Sequence, residues 1–161
     1  MLSYAEIVEA DQYFEGRDDA VRWFTLSEQQ KKSVLEHASR FLDHAFQWKG
    51  TPTDAGQPLR WPRMNVVDPD GVPLDQNTVP VQIKYAVLEQ ALFLTEPGNQ
   101  GRNDLSREGV KSASLGKMSL TFESAVEREQ LSPEAAAFVR GLGTFCSSGK
   151  NAGKSGFFLR G

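Results

Sequence analysis

Between Ser27 and Trp48 the apolar residues Val34, Leu35, Ala38, Phe41, Leu42, Ala45, Phe46 and Trp48 fall three and four positions apart, while Lys31, Lys32, Glu36, Arg40 and Asp43 occupy the other side. That period lines one face of a half-solvated helix. Ser27 with Gln30 makes the S-x-x-Q box that opens it, and the pattern predicts a helix running into Trp48 and ending near Gly50. A second long helix is predicted from Asn77 or Thr78 as cap, with Pro80 in the first turn, through Ile83, Val87, Leu88, Ala91, Leu92 and Leu94 to a stop at Pro97-Gly98. These two form the expected core pair. Ser3 with Glu6 predicts a first short helix carrying Tyr4, Ile7, Val8 and Ala10 to about Phe14, broken at Gly16. Residues 18 to 26, dense in large side chains, read as one helical turn or a packed loop that anchors the N-terminus. Ser132-Pro133-Glu134 starts a third packed helix with Ala135, Phe138, Val139 and Leu142 on one side, ended by Gly141 and Gly143.

The pattern has period two in one place. Met118, Leu120 and Phe122 alternate with Lys117, Ser119 and Thr121 after Gly116, which predicts a strand over about 117–122 with one buried face. A lone strand needs a partner, either a hairpin around the turn Asp68-Pro69-Asp70-Gly71 or another chain. Residues 98–109 are polar and glycine-rich and read as a mobile loop. From Ser147 the composition turns to glycine, serine and base without acid, an extended C-terminal arm over 147–161 ending in Phe157, Phe158, Leu159 and Arg160. Those residues read as an apolar plug for a neighbouring subunit or partner, against the alternative of a disordered tail. The expected fold is therefore mainly α: one small helical bundle over residues 1–146, with a short β hairpin or strand, followed by the arm.

Two long-helix segments are joined by WKGTPTDAGQPLRWPR, Trp48 to Arg63. Pro52 and Pro58 fix their own φ and push the preceding residue out of the α region; Pro62 does the same to Trp61. A connection pinned by an indole at each end predicts a docked clasp, and each indole N–H then needs an acceptor. The same residues permit a different use: Trp48, Lys49, Arg60, Trp61 and Arg63, displayed on one surface, would stack and neutralise a single-stranded nucleic acid. Burial, with the arginines bonded to carbonyls or acids, is the expectation preferred here.

Composition narrows the chemistry further. With 161 residues, 39% hydrophobic, 24% charged and a net charge of −3, the chain suits one soluble domain and argues against a dedicated duplex-DNA binder. No apolar run reaches the roughly 18 to 20 residues of a membrane span, and no membrane partner is expected. The single cysteine, Cys146, excludes a disulfide framework and zinc-finger spacing, and as a nucleophile it lacks a base close in sequence. His37 and His44 stand seven apart on one helix rather than four, which disfavours a metal pair. GKNAGKS, residues 149–155, has one residue too few between its glycines for a phosphate loop and no helix after it. Asp18 and Asp19 suit the first turn of a helix. No catalytic residue, cofactor or metal is expected, and no enzyme.

Taken together, the W-x-G of Trp48 and Gly50, the L-x-W-P-R of Leu59, Trp61, Pro62 and Arg63, the Val79-Pro80 opening of a helix with Ala86 and Ala91, and the V-K-S-x-x-L-G-x-M-x-L-x-F segment from Val110 to Phe122 resemble the small head-tail connector adaptors of tailed bacteriophages, which are often described as DnaT-like single-stranded DNA-binding proteins. The likeness covers residues 1 to 125; Leu115 stands where a valine is expected. It implies a homo-oligomeric ring, commonly twelvefold, in the virion neck at the head-tail interface, assembled in the host bacterial cytoplasm. Such a ring would join the portal protein to a stopper or tail-completion protein, with genomic DNA passing through its lumen. The arm residues Phe157 to Arg160 would reach the portal, and Met118, Leu120 and Phe122 would pair with an adjacent protein. The second expectation is a single-stranded DNA-binding module.

Overall fold

The computed structural model describes residues 2–96, 99 and 131–146. The long polar loop, the expected strand with Gly116, Met118, Leu120 and Phe122, and the C-terminal arm with Phe157, Phe158, Leu159 and Arg160 lie outside the described residues, as does GKNAGKS. Within them the chain is mainly α with small strand elements, as the pattern predicts. In order come α1 (Ile7–Phe14), a 3-10 turn (Asp18–Ala20), α2 (Val21–Phe24), α3 (Glu28–Ala45), β1 (Phe46–Trp48), β2 (Thr51–Pro52), β3 (Arg63–Met64), α4 (Val81–Thr95), α5 (Pro133–Phe138) and β4 (Gly143–Phe145).

Helix α4 is the axis of the bundle. Ile83, every residue from Ala86 to Leu92, Leu94 and Thr95 are buried, so it is apolar nearly all round, the mark of a helix wrapped by its neighbours. Helices α3 and α5 pack on it, and α2 touches it. Pro80 is its N-cap rather than a first-turn residue, because the bound φ of proline suits the residue just outside the helix as well as the one just inside. Two polar residues of α4 are buried and paired. The Gln90 side-chain oxygen accepts the Ser132 N–H at 2.8 Å, which fixes the start of α5. Glu89 accepts the Tyr13 hydroxyl at 2.7 Å and Arg17 Nη1 at 2.6 Å, which ties the N-terminal segment to the axis. Arg17 reaches Asp19 as well.

The N-terminal segment is therefore folded in. Trp23 and Phe14 are fully buried with rings 5.2 Å apart, and Trp23 Nε1 donates to Asp11 at 2.7 Å. Asp11 also binds Lys31 Nζ at 2.7 Å; the ammonium lies 5.3 Å from the Trp23 ring centre and 5.4 Å from that of Phe24. Lys31 is thus buried on α3 rather than solvated, its charge answered by a carboxylate and two ring faces. The first helix is capped by Glu6 and Glu9, not by Ser3, whose hydroxyl turns instead to Ser39 at 3.1 Å. Gly16, at φ 75°, ends this unit, and Ser27 with Gln30 opens α3 as expected.

Helix α3 stops at Ala45, short of the expected end near Gly50, and Phe46 to Trp48 form a strand instead. The reason lies far along the chain: β4 pairs with it antiparallel, Phe46 opposite Phe145 and Trp48 opposite Gly143. Val66 to Leu74 form the expected hairpin turn, with the Asp68 carboxylate accepting the N–H groups of Asp70 and Val72 and Val67 bridging Pro73.

Candidate nucleic-acid interface

The clasp is built by three local decisions. Strand β1 ends at Trp48, and Gly50, whose φ of 68° suits a turn, lets the chain fold back into β2. A Cβ there would stand 2.1 Å from the Met64 carbonyl oxygen and 2.6 Å from Val66 Cγ2, so no side chain fits. Strand β3 then closes on β2, Pro52 opposite Arg63. Between them the Asp54 to Pro62 turn is held by Gln57, which donates to the carbonyls of Leu59 and Pro62 and accepts the Asp54 N–H. Trp61 and Pro62 are joined by a cis peptide.

Trp48 and Trp61 point inward, at 7% and 2% exposure. Their rings meet edge to face at 5.6 Å, and Trp48 stacks on Phe46 at 5.0 Å, which in turn meets Phe145 at 5.5 Å. Neither indole N–H finds an acceptor among the described residues, contrary to the expectation that each would have one. Arg63 is buried beside them and donates through Nε to Lys49 O at 2.7 Å, through Nη2 to Gly50 O at 2.8 Å and through Nη1 to Arg60 O at 3.0 Å. Desolvation, with the neighbouring Arg60 charge, holds its pKa below the usual arginine value. This is the planar five-donor fork used on main-chain carbonyls rather than on phosphate. Leu59 is half-buried against the core.

A second network ties the clasp to α3 and to the N-terminus. Asp43, expected on the solvated face, is buried. Its Oδ1 accepts the Tyr4 hydroxyl and its Oδ2 the Arg60 N–H at 3.0 Å, while the Tyr4 oxygen accepts the Trp61 N–H at 3.1 Å. Burial pushes the Asp43 carboxyl up and, with Asp43 beside it, raises the Tyr4 phenol as well. Both shifts are those of groups taken out of water.

Outside this closed interior lies a cleft of about 380 Å³ between α3 and the Asp54–Arg60 turn. Arg40, His44 and Arg60 stand on its walls, with Leu2, Pro52, Pro58 and Leu59 supplying apolar surface. Among the described residues no group of histidine, cysteine and acid could hold a metal ion, and no helix is long and apolar enough to cross a membrane. Cys146 is exposed, its N–H bonded to Ala45 O. Of the residues singled out from the sequence, the structure gathers Trp48, Gly50, Leu59, Trp61, Pro62 and Arg63 into one unit and leaves Pro80 apart, at the head of α4. Sequence reasoning misses the roles of Tyr4 and Asp43. Periodicity puts Tyr4 on a helical face and Asp43 on a solvent face, and only their meeting in space reveals the pair.

A helical domain closed by an arginine-locked tryptophan clasp is thus the class of protein that fold and site define. The model of the family described as "Putative DnaT-like ssDNA binding protein" matches residues 2–161, and the chain belongs to that family. Neither the comparison with curated proteins nor that with solved structures gave a match.

Proposed function

We propose that the chain is a DNA-associated binding protein without catalysis, and that it engages single-stranded DNA. Membership of the DnaT-like family over residues 2–161 is the observation that carries this reading, and it favours it over the neck adaptor. The geometry limits where DNA can touch the protein. Trp48 and Trp61 are packed inside and Arg63 is spent on carbonyls, so the clasp interior is no stacking platform, and DNA would meet its outer surface. Titration of a labelled oligonucleotide at several salt concentrations tests the reading. A micromolar or tighter affinity that falls steeply with salt is expected; wild-type protein that ignores the oligonucleotide at low salt would end it. Trp61→Ala is expected to unfold the domain, at a cost of about 3–5 kcal/mol, rather than to remove binding from a folded one, as thermal melts beside the titration will tell.

A second reading is the adaptor ring of a phage neck, joining the portal to a stopper or tail. Its support is the motif resemblance and a set of apolar side chains left on the described surface: Val8, Val21, Phe24, Val67, Val72 and Val81 are each about half exposed or more. Surface of that kind suits assembly with copies or partners. Imaging of the protein in assembled virions, with its copy number and neighbours, decides this reading; absence from the particle would remove it.

A further inference from the structure

We propose that the cleft between α3 and the Asp54–Arg60 turn is a nucleotide site, taking one base against Leu2, Pro58 and Leu59 with its phosphates on Arg40, Arg60 and the neighbouring Lys49. This deepens the single-stranded DNA reading and rests on it. Three observations meet here. The cleft pairs an aliphatic wall of leucine and proline with cationic side chains, so a base would be held by apolar packing rather than aromatic stacking while its phosphodiester meets positive charge. Arg40, Lys49 and Arg60 are exposed, and their side chains have no hydrogen-bond or ion-pair partner among the described residues, whereas Arg17, Lys31, Lys84 and Arg63 are all engaged. The buried Arg63 fork also grips the main-chain carbonyls of Lys49 and Arg60 together, which sets Lys49 close to Arg60 though outside the cleft's own lining.

Two carboxylates oppose the cations. Asp43 has its oxygens occupied by the Tyr4 hydroxyl and the Arg60 N–H, and Asp54 Oδ1 accepts the Gly56 N–H. Asp43 has no oxygen left over, whereas Asp54 is exposed and its Oδ2 has no hydrogen-bond partner among the described residues; their charges temper the attraction, so the site is one of modest affinity that relies on the apolar wall. Arg63 is then a positioning residue: it touches no DNA and sets the spacing of two residues that do.

The test uses the full chain with two probes. Anisotropy of a fluorescein-labelled oligo(dT) is measured against salt for wild type, Arg40→Glu and Arg60→Glu, and the His44 ring signals are followed by NMR during titration with dTMP. Each reversal is expected to weaken oligonucleotide binding at least about tenfold at low salt and to flatten the log–log salt slope by about 0.7 for every phosphate that is no longer neutralised, with unchanged thermal melts, and dTMP is expected to shift His44. If both variants bind oligo(dT) like wild type and dTMP leaves His44 unmoved, the cleft is overturned while the family reading stands. If dTMP shifts His44 but the wild type ignores oligo(dT), the single-strand reading falls and the cleft survives as a mononucleotide site. Silence from both probes overturns both.

Discussion

Arg63 shows how a residue type can mislead about its role. A guanidinium between two tryptophans is the composition of a nucleic-acid contact, yet here it satisfies three carbonyls and no ligand. Charge-assisted bonds to carbonyls withdrawn from water are worth more than neutral ones, and leaving the acceptors bare is costly. Arg63→Ala is expected to lose about 3 kcal/mol in chemical denaturation, and Arg63→Lys to recover only a part, because one ammonium cannot reproduce the fork. Asp43 carries a pH signature of the opposite sign to most acids. Its folded pKa is raised by burial, so between its ordinary value and the raised one the native state keeps a proton that the unfolded chain has released. Its contribution to stability is therefore greatest in acid and declines as pH rises through that window. The gap in unfolding free energy between wild type and Asp43→Asn is expected to narrow from about pH 4 upward; a gap that widens refutes the assignment.

At the level of elements, periodicity is a good guide wherever neighbours in sequence decide the outcome. The capping box of Ser27 and Gln30, the helix start at Ser132, the turn at Asp68 to Gly71 and the stop at Gly16 are local events, and each is where the pattern puts it. It fails where a distant segment intervenes. Phe46 and Trp48 continue the helical spacing of α3 and nothing nearby contradicts it; only pairing with β4 turns them into a strand. Lys31 and Asp43 fall at polar positions and become buried because Asp11 and Tyr4 arrive from another element. The clasp itself is legible as a docked structure from its prolines and indoles, whereas the cleft beside it is not, since no spacing places Leu2 near Arg60. The β1–β4 pairing is also vulnerable at one atom. A Cβ on Gly143 would lie 2.8 Å from Trp48 Cε3 and 2.9 Å from Gln47 O, both held by the pairing, so Gly143→Ala is expected to lower the melting temperature by several degrees, in line with a loss of about 1–3 kcal/mol.

For the whole molecule, the described part is one bundle whose axis is α4, and its polar interior is as organised as its apolar one. Gln90 receives α5, Glu89 receives the N-terminal segment, and Asp43 receives the clasp. Each is a buried group whose partner arrives from a remote stretch of chain, so the three together specify which segments lie against which. In the Glu89–Arg17 ion pair desolvation offsets much of the attraction, while loss of any one partner would leave a buried polar group unanswered.

Glu89 has a practical consequence for anyone shortening this polypeptide. Its carboxylate sits at 6% exposure and is answered by Tyr13 and Arg17, so a fragment beginning after Gly16 or Arg17 keeps the acid and discards one or both of its counterparts. Such a fragment is expected to be insoluble or readily digested by trypsin, and Glu89→Gln to restore part of its resistance. A useful minimal version must begin ahead of Tyr4.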